Sequence, residues 1–287
     1  MSGRAVLVTG ATSGIGLETA RALARLGAQV LVGARDEARG RGVVERIVRE
    51  GGQAELVTAD LSSFASVRGA AERISTKHPR LDVLIHNAGM VARRRALTAD
   101  GHERTWETNF LGPFLLTRLL LPNLKSTPRP RIVIVSSQAH RSGTIDWADL
   151  ELERGYRGFR AYANSKLALV LWTRELARRE TSVASNAIHP GVIATNIWRA
   201  APAPIPWILR ILLPSSAKGA APVVRLAADP EVEGVSGRYF DRFREAAPSG
   251  AAQNDSDARR LWEVAEKATA GADASTRPDA AAPVSGA

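Results

Sequence analysis

Six short β-rich runs alternate with helical segments, and each run ends in glycine or a polar group. That pattern constrains the fold more than any other feature of the chain. The runs are residues 4–9 (RAVLVT), 29–34 (QVLVGA), 54–59 (AELVTA), 81–86 (LDVLIH), 131–136 (RIVIVS) and 182–189 (SVASNAIH). Helical patterns fill 15–26, 36–50, 63–77, a long stretch from 101 to 125, and the segment around 160–171. Another covers 216–228, before a last short run at 237–240 (GRYF). Near-continuous Val, Leu and Ile runs separated by helices predict strands buried on both faces. The expectation is an α/β fold: a single doubly wound domain with a mostly parallel, seven-stranded sheet and helices on both faces. Nothing divides residues 1–267 into smaller units. Residues 268–287 have no aromatic side chain and no periodicity, and are expected to form a disordered tail.

An open parallel sheet binds its ligands beyond the carboxyl ends of its strands, near the point where strand order reverses. Those ends read TGATSGIG (9–16), Arg35-Asp36, Asp60-Leu61, NAG (87–89), Ser136-Ser137 and PGVIAT (190–195). In the first of these, Gly10, Gly14 and Gly16 let a turn close without Cβ atoms in the way. The helix that follows can offer its first amides to a pyrophosphate. The spacing is G-x-x-x-G-x-G rather than the more familiar G-x-G-x-x-G.

Composition narrows the remaining options. The chain has no cysteine, and its five histidines are scattered, so no metal site is expected. The net charge is +10, but the arginines are dispersed and no basic block is interleaved with aromatics. Solvated helix faces account for that charge better than nucleic-acid binding does. No leader sequence and no run of about 18 apolar residues is present, so no membrane span is expected and the default location is cytoplasmic.

TGATSGIG, NAG, Asn109 within WETNFLGPFLLT, Ser137, YANSK and HPGVIAT occur in order over residues 4–265. As a set they resemble the short-chain dehydrogenase/reductase family, which has a Rossmann-type fold. ELARR, AIHPGV, SGRYF and RLWE are most similar to its retinol dehydrogenase and WW-domain oxidoreductase branch. The first strand starts near residue 4, so the anchor common in retinol dehydrogenases is expected to be absent. One departure is His86, where the family often has a second Asn before NAG.

The resemblance implies a catalytic tetrad of Asn109, Ser137, Tyr162 and Lys166. A free phenol titrates near 10, too high for a base at neutral pH, and a nearby ammonium lowers that value. Tyr162 and Lys166 are four apart on a helix and share a face. In the reductive direction Tyr162 would donate a proton to a carbonyl as hydride arrives from a nicotinamide. Ser137 would hold the substrate oxygen, with Ser136 as its rival for that role. Asn109 would hold a water that relays protons to Lys166. The resemblance also implies cofactor contacts from Gly10, Thr12, Ser13, Gly14, Ile15 and Gly16, and from Tyr162 and Lys166. Asp60 and Leu61 would flank the adenine, and Asn87, Ala88 and Gly89 the adenosine ribose. Pro190, Gly191, Val192 and Thr195 would hold the nicotinamide end.

Cofactor choice turns on residues 34–36. Ala34 stands where NAD-binding members usually carry an acid, and the Arg35 guanidinium suits a 2′-phosphate. Asp36 is read as a cap of the second helix rather than a ribose ligand. NADP(H) is therefore expected over NAD(H). Residues 193–217 are the most apolar irregular stretch and include Trp198, Trp207 and Leu209. The resemblance implies that they form a lid, and their apolar side chains make a lipophilic alcohol or carbonyl the expected substrate. A homo-oligomer is compatible with the pattern. The competing readings are a nucleotide-sensing regulator on the same fold, and a lyase or isomerase without net redox turnover.

Overall fold

The computed structural model describes residues 1–191 and 215–270. The expected lid residues Trp198, Trp207 and Leu209, with Val192 and Thr195, lie outside the described residues.

The chain alternates as its sequence pattern requires. β1 (Ala5–Thr9), β2 (Gln29–Ala34) and β3 (Gln53–Thr58) are joined by α1 (Gly14–Arg25) and α2 (Glu37–Arg49). α3 (Phe64–Lys77) leads to β4 (Val83–His86), and α4 (Gly112–Lys125) leads to β5 (Arg131–Val135). α5 (Gly158–Arg179), β6 (Ala184–His189), α6 (Ser216–Ala228), β7 (Tyr239–Asp241), β8 (Arg244–Glu245) and α7 (Asp255–Ala270) follow. Strand order is β3-β2-β1-β4-β5-β6-β7-β8. All pairings are parallel except β7 with β8. The order reverses between β1 and β4, which meet with Leu7 opposite Leu84. That junction opens the crevice in which an α/β sheet binds ligands.

Period-two alternation sends each strand's side chains to both layers. Ala5 and Leu7 join a core beneath α3, α4, α5 and α7, while Val6 and Val8 join one beneath α1, α2 and α6. α5 is buried nearly all round from Ala161 to Leu176, because the sheet covers one side and α7 another. Trp172 sits at its centre against His86, Phe110 and Phe114, with ring centroids 5.5–6.3 Å apart. Asp36 caps α2 by accepting the Arg39 amide at 3.0 Å, and Ser63 caps α3.

Three expectations need correction. Among the described residues the sheet has eight strands, not seven. β8 is a two-residue hairpin return whose Arg244 and Glu245 are exposed, so no apolar alternation marks it. The stretch 101–125 is not one helix. Gly101 adopts φ +86°, a short turn spans Arg104–Trp106, and a π-helical turn at Glu107–Leu111 precedes α4. The last helix extends three residues past Lys267. Thr269 is buried, its hydroxyl donates to the Ala265 carbonyl at 2.7 Å, and Arg68 reaches the Thr269 carbonyl at 2.7 Å.

Candidate active site

The turn between β1 and α1 is built around three glycines. Gly10 and Gly14 have φ values of +66° and +58°. A Cβ on Gly10 would stand 2.8 Å from the Ala88 Cα, and one on Gly16 would stand 2.4 Å from the Gly10 carbonyl oxygen. The turn thus closes against the loop after β4 only because these residues lack side chains. Asn87 locks the two loops together: its amide nitrogen donates to the carbonyls of Thr9 at 3.0 Å and Gly10 at 3.2 Å. Ser13 occupies the N-cap of α1 with no side-chain cap bond, and no acidic residue stands in the first turn. The helix therefore presents free amides and a positive dipole end to an anion. This cradle fits the pyrophosphate of a dinucleotide.

A cavity of about 1490 Å³ runs from this turn across the ends of the central strands. Gly10, Thr12, Ser13, Gly14, Ile15, Gly16, Arg35, Asp60, Leu61, Asn87, Ala88 and Gly89 all line it. Ser137, Tyr162, Lys166, Pro190 and Gly191 line it as well. Of the expected cofactor residues that are described, none falls elsewhere.

Tyr162 and Lys166 share one face of α5 and are 8% and 3% exposed. Ser136 and Ser137 divide the roles left open by the sequence. The Ser136 hydroxyl is buried and donates to the Lys166 carbonyl at 2.9 Å, so it fastens α5 to the sheet. Ser137 lines the cavity, its Oγ accepts the Ala139 amide at 3.2 Å, and its hydroxyl lies close enough to the Tyr162 phenol to favour the phenolate. Lys166 Nζ donates to the Val135 carbonyl at 2.8 Å and lies 5.5 Å from the centroid of the Tyr162 ring. Burial pushes the lysine down to about 8. Burial also raises the Tyr162 phenol above its ordinary value, and the Ser137 hydroxyl only partly opposes this. The phenol is therefore raised by desolvation, not lowered by Lys166 as the sequence led one to expect.

Asn109 is fully buried in the π-helical turn. Its Oδ1 accepts the Met90 amide at 2.8 Å, and its Nδ2 donates to the Met90 carbonyl and to Ser165 Oγ, both at 3.0 Å. Both amide hydrogens are thus committed to protein acceptors, so its side-chain donors are not free to hold a relay water. Through these bonds Asn109 ties the segment after NAG to α5. Gly89 stands between them, where a Cβ would come within 3.3 Å of Lys166 Nζ.

The structure adds residues that sequence reasoning missed. Arg39 lines the cavity beside Arg35, one turn into α2. Met90, Val91, Ala92 and Arg93 form a wall that meets the start of α5. There Gly158 abuts the Ala92 carbonyl and Tyr156 donates to it at 3.2 Å. Gln138, Ala139, Ser142, Phe159 and His189 also line the cavity. Arg39 could have been found from its position three after the Asp36 cap. Phe159 and His189 sit at the ends of α5 and β6, and the others follow from turn and loop paths with no local signature.

The profile of the short chain dehydrogenase family matches residues 4–205. The chain belongs to the short-chain dehydrogenase family. It is 42% identical to human retinol dehydrogenase 14 over 93% of its own length and 86% of that protein. It is 44% identical to mouse polyprenol dehydrogenase over 91% of its length and 82% of the relative. These similarities place it in the retinol dehydrogenase-like branch. A crystal structure of a protein from Mycobacterium paratuberculosis superposes with a TM-score of 0.79 at 34% identity, covering 94% of each chain. A Shigella flexneri short chain dehydrogenase complexed with NADP gives a TM-score of 0.70 at 29% identity, over 85% of this chain and 98% of that one. Family membership makes the protein an oxidoreductase of the alcohol–carbonyl type whose cleft takes a nicotinamide cofactor. Among the described residues no helix is long and apolar enough to cross a membrane.

Proposed function

We propose that the protein is an NADP(H)-dependent oxidoreductase that interconverts a lipophilic alcohol and its aldehyde or ketone. The observation that carries this reading is the convergence of Ser137, Tyr162 and Lys166 in one wall of the glycine-loop cavity. When bound there, the nicotinamide supplies or accepts the hydride. Ser137 holds the substrate oxygen against the Tyr162 hydroxyl. Tyr162, kept neutral by burial, is in the form that donates a proton to a developing alkoxide. Lys166, at about 8 and one helical turn away, carries a proton close to neutral pH and restores it through the cleft. Asn109 keeps the Met90 wall in place.

The choice of NADP(H) rests on the second strand end. Asp36 accepts the Arg39 amide at the cap of α2, while Arg35 and Arg39 both line the cleft with no acid at Ala34. Two guanidinium groups suit a 2′-phosphate. The lipophilic substrate is supported by Met90, Val91, Ala92, Ala139 and Phe159 beside Tyr162, with Phe159 63% exposed. The names of two relatives, a retinol and a polyprenol dehydrogenase, agree in substrate class.

Tyr162→Phe keeps the ring and removes only the hydroxyl. With NADPH and a long-chain aldehyde such as decanal, kcat should fall by about 10²–10⁴ while NADPH affinity stays within about twofold. Turnover close to wild type would place the chemistry elsewhere.

A further inference from the structure

Ser137 is the first residue past the end of the sheet ladder. The Ser136 amide still bonds to the Ile188 carbonyl at 2.8 Å, and β5 itself ends at Val135. The sheet therefore cannot by itself fix where the Ser137 side chain points. Part of what fixes it is direct, since Ser137 Oγ accepts the Ala139 amide at 3.2 Å, and the rest lies in the 3₁₀ turn that Ser137 caps, Gln138–Ser142. Its third residue, His140, is completely buried. The Ser137 carbonyl receives two donors, and both come from this residue: the His140 amide at 3.1 Å and the ring Nδ1 at 2.7 Å. A carbonyl has two lone pairs, so the peptide plane after Ser137 is saturated and held from two directions.

The tautomer follows from the partners. A carbonyl only accepts, so Nδ1 carries the proton. The other ring nitrogen, Nε2, faces the Ser249 amide at 3.1 Å, which only donates, so Nε2 is bare. The ring is thus neutral, and burial holds its titration below the ordinary histidine value. Tyr239 of β7 packs on it with centroids 4.8 Å apart. Neighbouring contacts run the same way. Gln138 donates to the Asp241 carboxylate at 2.8 Å, and Arg141 to the Ala247 carbonyl at 2.8 Å. The turn carrying Ser137 is clamped to β7 and to the loop at 246–253, more than a hundred residues further along the chain.

We infer that His140 is a positioning residue for the reaction: as the Nδ1–H tautomer it holds Ser137 from behind, so that the serine hydroxyl stays aimed at Tyr162. This inference rests on the reading of Ser137 as the group that holds the substrate oxygen. His140 touches no reacting atom and acts only through Ser137.

Side-chain shape separates the two ring contacts. His140→Asn keeps a donor near the Nδ1 position and loses the Ser249 contact. His140→Gln keeps reach toward Ser249 and loses the donor to Ser137. His140→Phe keeps the ring packing and loses both. With NADPH and decanal, the Phe and Gln variants should lose about 10–100-fold in kcat, as sub-ångström to 1 Å misplacement of a reacting group does. NADPH affinity should remain within about twofold in all three. The Asn variant should recover to within about threefold of wild type. In a double-mutant cycle, Ser137→Ala with His140→Phe should be no slower than Ser137→Ala alone, because the second change has nothing left to position. Losses that multiply, or an Asn variant as slow as the Phe variant, would overturn the inference. So would a Phe variant with wild-type kcat. If Ser137→Ala itself retains full activity, the catalytic reading of that serine fails instead, which is a separate result.

Discussion

On the proposed function, Arg35 and Arg39 are the residues that decide between two cofactors that differ by one phosphate. Both side chains are exposed at the rim of the cleft, so solvent weakens what each can contribute, and a charge-assisted contact there is expected to add about 1–2 kcal/mol. Arg35→Ala and Arg39→Ala should each weaken NADPH binding roughly tenfold and leave NADH within about twofold. Titration of both cofactors into each variant checks this. Equal losses for NADPH and NADH would remove the assignment. Asp36 shows why a residue's chemistry depends on its surroundings. It lines the cleft by position, and its Oδ1 accepts the Arg39 amide at 3.0 Å, so one carboxylate oxygen serves as the cap of α2. Asn87, which lines the cleft, and Asn109 also hold loops together.

The helices and strands that carry the site were largely legible because their signals are local. Valine-rich runs, a glycine turn and a tyrosine–lysine pair at helical spacing all fall within short windows. The π-helical turn at Glu107–Leu111 was not legible, since its sequence is as helix-compatible as the residues that follow it. β8 escaped because two exposed residues carry no periodicity, and the wall at Met90–Arg93 because loops have none. The end of α7 was misplaced for a related reason. Ala268 and Thr269 look like tail by composition, but Thr269 is held by contacts from Ala265 and from Arg68, which is distant in sequence. A chain ending at Ala270 should melt with the full-length protein, as the composition of 271–287 predicts. A chain ending at Lys267 loses the buried threonine and should melt about 2–4 °C lower. Identical melting of the two truncations would show that the last turn contributes nothing.

Burial of titratable groups sets how the whole molecule responds to acid. His86 is enclosed against Trp172 with Nε2 on Thr117 at 2.7 Å, and burial lowers it to about 3. His189 is lowered to about 4 for the same reason. Between their ordinary value of 6.5 and these lowered values, the unfolded chain binds protons that the folded chain does not. Stability therefore rises with pH across that window and is lost as pH falls through it, with a limiting slope of about 1.4 kcal/mol per pH unit for each group. Glu107, raised to about 7 by burial, has the opposite slope between its ordinary value and 7. Comparing wild type with a single variant cancels that contribution. His86→Asn should show a shallower fall in melting temperature from pH 6.5 to pH 4 than wild type, and parallel curves would mean that His86 is not the buried neutral group described here.

Hydride transfer itself is tested by the passage of label from NADPH deuterated at both C4 positions of the nicotinamide to decanal, read by mass spectrometry of the product. Decanol should carry one deuterium on its carbinol carbon, formed in step with NADPH consumption and lost with Tyr162→Phe. NADPH that binds but leaves the aldehyde unlabelled, across a panel of lipophilic aldehydes and ketones, would contradict hydride transfer by this protein.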